Sequence, residues 1–174
     1  MYRKSLIELI VRFATVLALA IWFGGFTFYS TAVISTSQKV LHSMLRAGLI
    51  TQQVTNWLNW LSVPALLICG ANWFVTRRDG RRFWVWALGG ALAVMGLFQA
   101  ALFPMHWILD SRIVNREVAD EGGFFQLHRL YLAFSTAQWC ATLGYIWATL
   151  VLWRPAEPKK AECHIMSDPL MAET

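Results

Sequence analysis

Histidine and carboxylate side chains collect in one part of the sequence, and their types and spacing point to metal chemistry. His106, Asp110 and Glu117 are separated by four and seven residues, so on a helix they would share one face. An imidazole beside a carboxylate is a ligand pair for a divalent metal, and the imidazole favours zinc or copper. The predicted metal ligands are His42, His106, Asp110 and His128. A solvated helix face explains the same spacing, so both interpretations stay open.

Haem is a second possibility for two of these histidines. His106 and His128 fall on the same side of the predicted membrane, on consecutive antiparallel helices. Membrane helices that face each other can hold b-type haem through His ligands. Both positions are also interfacial, where water solvates a histidine easily. The cofactors that the sequence suggests are therefore copper or b-type haem, with simple solvation as the alternative.

Nothing in the sequence indicates an enzyme. We find no nucleophile paired with a base, no phosphate-binding loop and no pair of catalytic carboxylates. The glycine pairs at 24–25 and 89–90 lie inside apolar stretches rather than after strands, so they do not indicate dinucleotide binding. We expect a protein that acts by binding.

The composition excludes an ordinary soluble domain. Of the 174 residues, 57% are hydrophobic and 14% are charged, and the mean hydropathy is +0.45. Soluble domains average about 45–50% apolar and about 25% charged residues. A chain with so few charged groups could not cover its surface in water. A small integral membrane protein with one domain is the class that remains.

The apolar residues form four segments, each long enough to cross a bilayer, which takes roughly 20 residues. They run over about 9–34, 54–75, 83–103 and 130–153. Backbone groups in hydrocarbon must be paired within a helix or a closed barrel, and these continuous runs do not alternate as barrel strands do. The predicted fold is all-α, an integral membrane four-helix bundle over residues 1–153. The polar tail 154–174 is predicted to be disordered.

The distribution of Lys and Arg predicts the orientation. The short loop 77–82 holds four arginines, and short loops obey the positive-inside rule best. Both termini are then cytoplasmic, and the predicted location is the bacterial inner membrane. Because membrane helices flank this loop, we do not expect nucleic-acid binding. The expected partners are the lipid bilayer and other proteins of a membrane complex.

Several residues are predicted to have structural roles. Glu8 and Arg12, four residues apart, are expected to form an ion pair on the first helix. Pro64 should kink the second helix, and a polar helix should continue past Pro104. Small residues, among them Gly24 and Gly25, should let helices approach closely. Interhelical hydrogen bonds are expected from the intramembrane polar residues Gln99, Gln138 and Asn72.

Three stretches carry a family resemblance: IWFGGFTFY at 21–29, LFP at 102–104 and FQLHRL at 125–130. With them, residues 8–153 resemble the small bacterial membrane family known as domain of unknown function 4149. That family is similar to the eukaryotic transmembrane protein 205 group and, more distantly, to the membrane domains of copper-resistance protein D. The resemblance implies a four-helix membrane domain and no established reaction.

The copper association of the distant relatives points to His128, then to His106 and His42. The chain departs from a Met-rich copper relay, since Met44, Met95 and Met105 are scattered. The His-Arg pair in the third stretch has a structural alternative.

In that alternative, His128 caps a helix end and Arg129 meets Asp110 or Glu117 across the loop.

The leading hypothesis is an inner-membrane protein that acts as a structural or accessory subunit or as a small-ligand handler. The first alternative is a metal- or haem-binding membrane protein in metal handling or electron transfer. The second is a small-molecule transporter, which would depend on Gln99 or Gln138.

Overall fold

The chain forms long helices with very little else. The computed structural model describes residues 2–42, 44–78, 81–114, 117–118 and 121–154, with the backbone alone for 2–5, 44–46, 113–114, 117–118 and 121. The predicted tail lies outside these ranges from residue 155 onward. The elements are α1 (Tyr2–Phe28), a π-helical turn (Tyr29–Val33), α2 (Ile34–Leu41), α3 (Met44–Thr76), α4 (Arg82–Ser111), β1 (Ile113–Val114), β2 (Glu117–Val118) and α5 (Glu121–Trp153). The predicted all-α class is confirmed, apart from the two-residue antiparallel strands β1 and β2.

All four predicted segments are helical, and each helix is longer than its apolar run. The first continues from Tyr2 through the π-helical turn to Leu41, and α3 begins ten residues before the predicted position 54. Helical hydrogen bonding does not depend on hydrophobicity, so it continues into the polar flanks. Hydropathy marks only the part of a helix that fits hydrocarbon.

Three helices in the described ranges are long and apolar enough to cross a membrane: Leu6–Leu41, Ala47–Thr76 and Arg82–Ser111. The fourth predicted span, 130–153, forms the larger part of α5 but is not among these three. Its apolar character is diluted by buried polar side chains at intervals of three and four residues, which places them on one face. We call this face the polar seam of α5; its members are Ser135, Gln138, Thr142, Tyr145 and Thr149.

Neighbouring helices along the chain contact one another. α1 contacts α3, α3 contacts α4, and α4 contacts α5 most extensively. Side chains then join α5 to α1: the rings of Phe23 and Trp139 stack with centroids 5.4 Å apart. The indole Nε1 of Trp139 also donates to Thr27 Oγ1 at 3.1 Å. α1 therefore has a neighbour on each side.

The outer surface is more apolar than that of a water-soluble helical protein, and the interior holds several polar side chains among its apolar ones. The buried set includes Asn59, Asn72, Gln99 and Gln138, while Trp107 and other large apolar residues are exposed. Trp107 has 76% of its surface exposed. In water such an exposed apolar surface is costly, whereas in lipid the cost falls on unpaired polar groups instead. The surface and the interior both suit a hydrocarbon environment.

Arg81 closes the end of α5. Its Nη1 donates to Val151 O at 2.7 Å, and its Nη2 donates to Leu152 O at 2.5 Å and to Arg154 O at 3.2 Å. The last carbonyls of a helix have no partner within it and carry partial negative charge. Arg81 therefore has a structural role as hydrogen-bond donor to these carbonyls, besides its predicted contribution to the orientation of the protein in the membrane. We call this end of the helices the Arg81 end.

α3 and α4 approach each other closely at Gly89, where a larger residue would not fit without movement of its neighbours. A Cβ built there would lie 2.8 Å from Nε1 of Trp73, a separation at which something must shift. At Gly24 a Cβ would meet nothing within 4 Å, and at Gly25 it would meet only Leu58 Cδ2 at 3.6 Å. Of the predicted packing glycines, the tight contact falls in α4 rather than in α1.

The remaining structural predictions have mixed outcomes. The guanidinium of Arg12 lies 5.6 Å from the ring centroid of Trp153, and the described ion pairs do not include the expected one with Glu8. Pro64 lies inside α3 and Pro104 inside α4. The helix continues past Pro104 as expected, while the kink at Pro64 stays a prediction.

Candidate functional site

His106 and Asp110 meet near the end of α4, at what we call the His106 end of the helices. Because Pro104 does not stop the helix, the two residues occupy consecutive turns, and His106 Nε2 lies 3.5 Å from Asp110 Oδ2. Gln52 on α3 donates from Nε2 to Asp110 Oδ1 at 2.8 Å. His106 is 8% exposed, and its Nε2 is buried without a hydrogen-bond partner in the described part of the chain. The group holds one carboxylate oxygen in place and leaves an imidazole nitrogen unused.

Further polar side chains continue from this group into the interior. Tyr131 on α5 has its ring centroid 6.2 Å from that of His106, and Asn59 donates to its hydroxyl at 3.3 Å. Gln99 Nε2 lies 3.4 Å from Asn59 Oδ1, and Gln138 donates to Gln99 Oε1 at 2.8 Å. We call Asp110, His106, Tyr131, Asn59, Gln99 and Gln138 the polar column. It crosses three helices, α3, α4 and α5.

A small cavity borders the polar column between α1 and the other helices. Its volume is about 20 Å³, and a cavity above about 10–15 Å³ with polar partners can hold a water molecule. Its wall combines polar, aromatic and aliphatic side chains: Trp22, Phe23, Phe26, Thr55, Leu58, Asn59, Gln99, Leu102, Tyr131, Ser135, Gln138, Trp139 and Thr142. Amide and hydroxyl groups can satisfy a water or a single small ion there. A porphyrin does not fit, so this cavity does not favour the haem prediction.

The other predicted ligands lie apart from His106 and Asp110. His42 is exposed and ends α2 with a positive φ of 45°. The ring of His128 stacks on Phe124, with centroids 6.0 Å apart and an interplanar angle of 4°. In the described part of the chain, no three His, Cys, Asp or Glu side chains are grouped so that they could hold a metal ion. Of the predicted ligands, the structure brings together His106 and Asp110.

The capping role expected for His128 is wrong. α5 begins at Glu121, so His128 lies within the helix and not at its end. Burial lowers the pKa of His128, because desolvation disfavours the imidazolium, and its neutral ring suits the stack on Phe124. Arg129 is exposed, and among the described residues Asp110 contacts Gln52 and His106. The side chain of Glu117, the other partner expected for Arg129, lies outside the described residues.

Glu117 does not share the helix face of His106. α4 ends at Ser111, and Glu117 belongs to β2. After Ser111 the chain leaves the helix for the antiparallel strands β1 and β2. His106 and Asp110 therefore share a helix face, whereas Glu117 does not lie on it.

No protein-family model, curated protein or solved structure matches this chain. The resemblance to the domain of unknown function 4149 family therefore stays a prediction.

The sequence did not predict three members of the site: Gln52, Asn59 and Tyr131. Gln52 and Asn59 are seven residues apart, which places them on one face of a helix. The residues between them include Gln53, Thr55 and Asn56, so the spacing alone did not distinguish these two amides from their polar neighbours. The hydrogen bonds expected from Gln99, Gln138 and Asn72 are present. Each of the three donates to a side chain of another helix, and Gln99 also accepts a hydrogen bond from Gln138.

Proposed function

We propose that this chain is a multi-pass membrane protein of four transmembrane helices that binds a small polar ligand along its polar column. The proposal includes cytoplasmic termini in a bacterial inner membrane and a four-helix bundle. It is supported by the exposed apolar surface of the helices and by the arginines of the loop 77–82, which favour a cytoplasmic location.

α5 crosses the membrane with its polar seam turned inward. Gln138 and Thr142 are buried, whereas Leu143 and Trp147 on the opposite side are exposed. A helix of this kind is too polar to lie alone in lipid but suits a position against other helices. This accounts for a fourth span that hydropathy alone does not support.

The single observation that carries the binding function is the unused Nε2 of His106 at the head of the polar column. Buried nitrogen atoms are rarely left without a hydrogen bond, and a bound water or ion is one way in which such an atom is satisfied. The cavity of about 20 Å³ limits the ligand inside the helices to the size of a water molecule or a single ion.

A thermal-stability screen of the full chain in mild detergent tests whether a small ligand binds along the polar column. The probes are sodium, ammonium, nitrate and zinc ions. A ligand that binds only the folded state at 100 times its Kd adds about 2.7 kcal/mol of stability, so at least one probe should raise Tm by several degrees. Gln138→Leu should reduce the shift of a probe that enters the cavity. Gln126→Leu is the matched control, since Gln126 is exposed on the same helix.

Two results would contradict the proposal. One is a screen in which no probe raises Tm. The other is an equal loss of the shift in the Gln138 and Gln126 variants. The interpretations as an accessory subunit and as a transporter remain predictions.

A further inference from the structure

We infer that His106 Nε2 and Asp110 Oδ2 bind one divalent transition-metal ion of the zinc class, with water filling its remaining positions. The inference rests on the proposed function in taking the His106 end as the binding end, and it names the ligand class for the outermost part of the polar column. It also narrows the sequence prediction from four ligands to two.

The separation of the two donor atoms fits a shared ion. With zinc distances of about 2.0–2.1 Å to nitrogen and about 2.0–2.2 Å to oxygen, tetrahedral angles place the two donors about 3.4 Å apart. The observed distance between His106 Nε2 and Asp110 Oδ2 is 3.5 Å. The distance between the two donor atoms therefore fits one shared ion, and because Nε2 itself is buried, a small movement of the side chains must make room for the ion and its water. Their four-residue spacing on a helix presents both donors on the same side, as in helical zinc motifs.

The state of each donor atom also fits. His106 Nε2 has no hydrogen-bond partner in the described ranges although it is buried. An imidazole nitrogen that no donor occupies has its lone pair available when the ring is neutral. Asp110 Oδ2 lies beside it as the charged partner, so an ion placed between them would satisfy both.

Gln52 supplies the outer contact that metal-binding carboxylates usually have. Its Nε2 donates to Asp110 Oδ1 at 2.8 Å, which leaves Oδ2 facing His106. Gln52 belongs to α3 and Asp110 to α4, so the contact orients the carboxylate from the neighbouring helix. Such outer contacts are worth about 10- to 100-fold in metal affinity.

The site opens toward the end of the helices. The side chain of Asp110 is 34% exposed and that of His106 is 11% exposed, so an ion can enter past the carboxylate. Structural zinc sites use four protein ligands and catalytic sites three. Two protein ligands completed by water predict reversible binding, with exchange at the open side.

The experiment uses the purified full chain in mild detergent after removal of metal by a chelator. Cobalt(II) is titrated and its visible absorption followed, and zinc is then added as a competitor. One equivalent should bind. His106→Gln and Asp110→Asn should each weaken binding at least tenfold, and Gln52→Leu should weaken it about tenfold. The matched controls, His42→Gln and His128→Gln, should bind as the wild type does.

X-ray absorption of the zinc-loaded wild type gives an answer that needs no variant. We expect one imidazole among otherwise oxygen ligands. A metal shell without imidazole, no bound ion, wild-type affinity in His106→Gln or loss of binding in His128→Gln would each overturn the inference.

These results are distinguishable from failure of the proposed function. If zinc does not bind but another probe stabilises the protein in a Gln138-dependent way, the metal inference fails and the proposed function stands. If zinc binds through His106 while every Gln138-dependent shift is missing, ligand binding is confined to the His106 end and the interior cavity has no part in it.

Discussion

Tyr145 joins α5 to α3, and removing its hydroxyl should destabilise the protein measurably. The side chain is 0% exposed, its hydroxyl donates to Cys69 O at 2.8 Å, and it accepts from Asn72 Nδ2 at 3.0 Å. Asn72 Oδ1 already lacks a hydrogen-bond partner among the residues that the structure describes. In Tyr145→Phe the whole amide of Asn72 would therefore be buried without this side-chain contact.

The size of the effect follows from these two contacts. Hydrogen bonds between membrane helices average about 0.6 kcal/mol and reach about 1.7 kcal/mol, and a buried group left unpaired costs about 1–3 kcal/mol. For Tyr145→Phe we expect a loss of about 1–2 kcal/mol, which lowers the ratio of folded to unfolded protein about five- to thirtyfold.

The assay is reversible unfolding in mixed detergent micelles, followed by circular dichroism. Tyr29→Phe is the matched control, because its hydroxyl makes only longer contacts, to Thr51 O at 3.3 Å and from Thr55 Oγ1 at 3.5 Å. The control should lose less stability than Tyr145→Phe. Equal losses in the two variants, or an unchanged midpoint for Tyr145→Phe, would refute the reasoning.

Two further perturbations test the helix end and the buried histidine. Arg81→Met should lower the free energy of unfolding by about 2 kcal/mol through the loss of charge-assisted hydrogen bonds, and it should speed amide exchange in the last turn of α5. The matched control Arg78→Met, at an exposed position, should change neither quantity. Unchanged amide exchange in the Arg81 variant would contradict the capping role. Because burial lowers the pKa of His128, protonation opposes folding. The free energy of unfolding should therefore fall as the pH drops below the ordinary value of about 6.5. His128→Phe should remove this pH dependence, whereas the control His42→Phe, at an exposed position, should keep it. The same pH profile in the wild type and in His128→Phe would contradict the assignment of the dependence to His128.

The sequence predicts the helices well because their signal is local. An apolar run long enough for hydrocarbon can be counted residue by residue, and the pairing of His106 with Asp110 needs only the helical period. The same period fails at Glu117, because the chain leaves the helix after Ser111. The change from helix to strand interrupts the periodicity, and residues 111–118 contain no Pro or Gly that would indicate it.

The contacts between helices could not be predicted in this way. Gln52 meets Asp110 across 58 residues of chain, and Asn59 meets Tyr131 across 72. Periodicity indicates which residues share a face of one helix, but it does not indicate which turn of the neighbouring helix lies opposite. The interhelical hydrogen bonds of Gln99 and Gln138 were expected in kind, whereas their partners depend on this register.

The polar seam of α5 has a consequence for how the chain is assembled during synthesis. Helices enter a bilayer one after another, and when a helix inserts alone its polar residues make the free energy of insertion less favourable. The three helices that are apolar enough to enter unaided precede α5 along the described part of the chain. For the proposed membrane protein, α5 would enter against partners already in place, which offer the amides and hydroxyls of its seam their hydrogen bonds. The order of the helices along the chain then serves as an order of insertion.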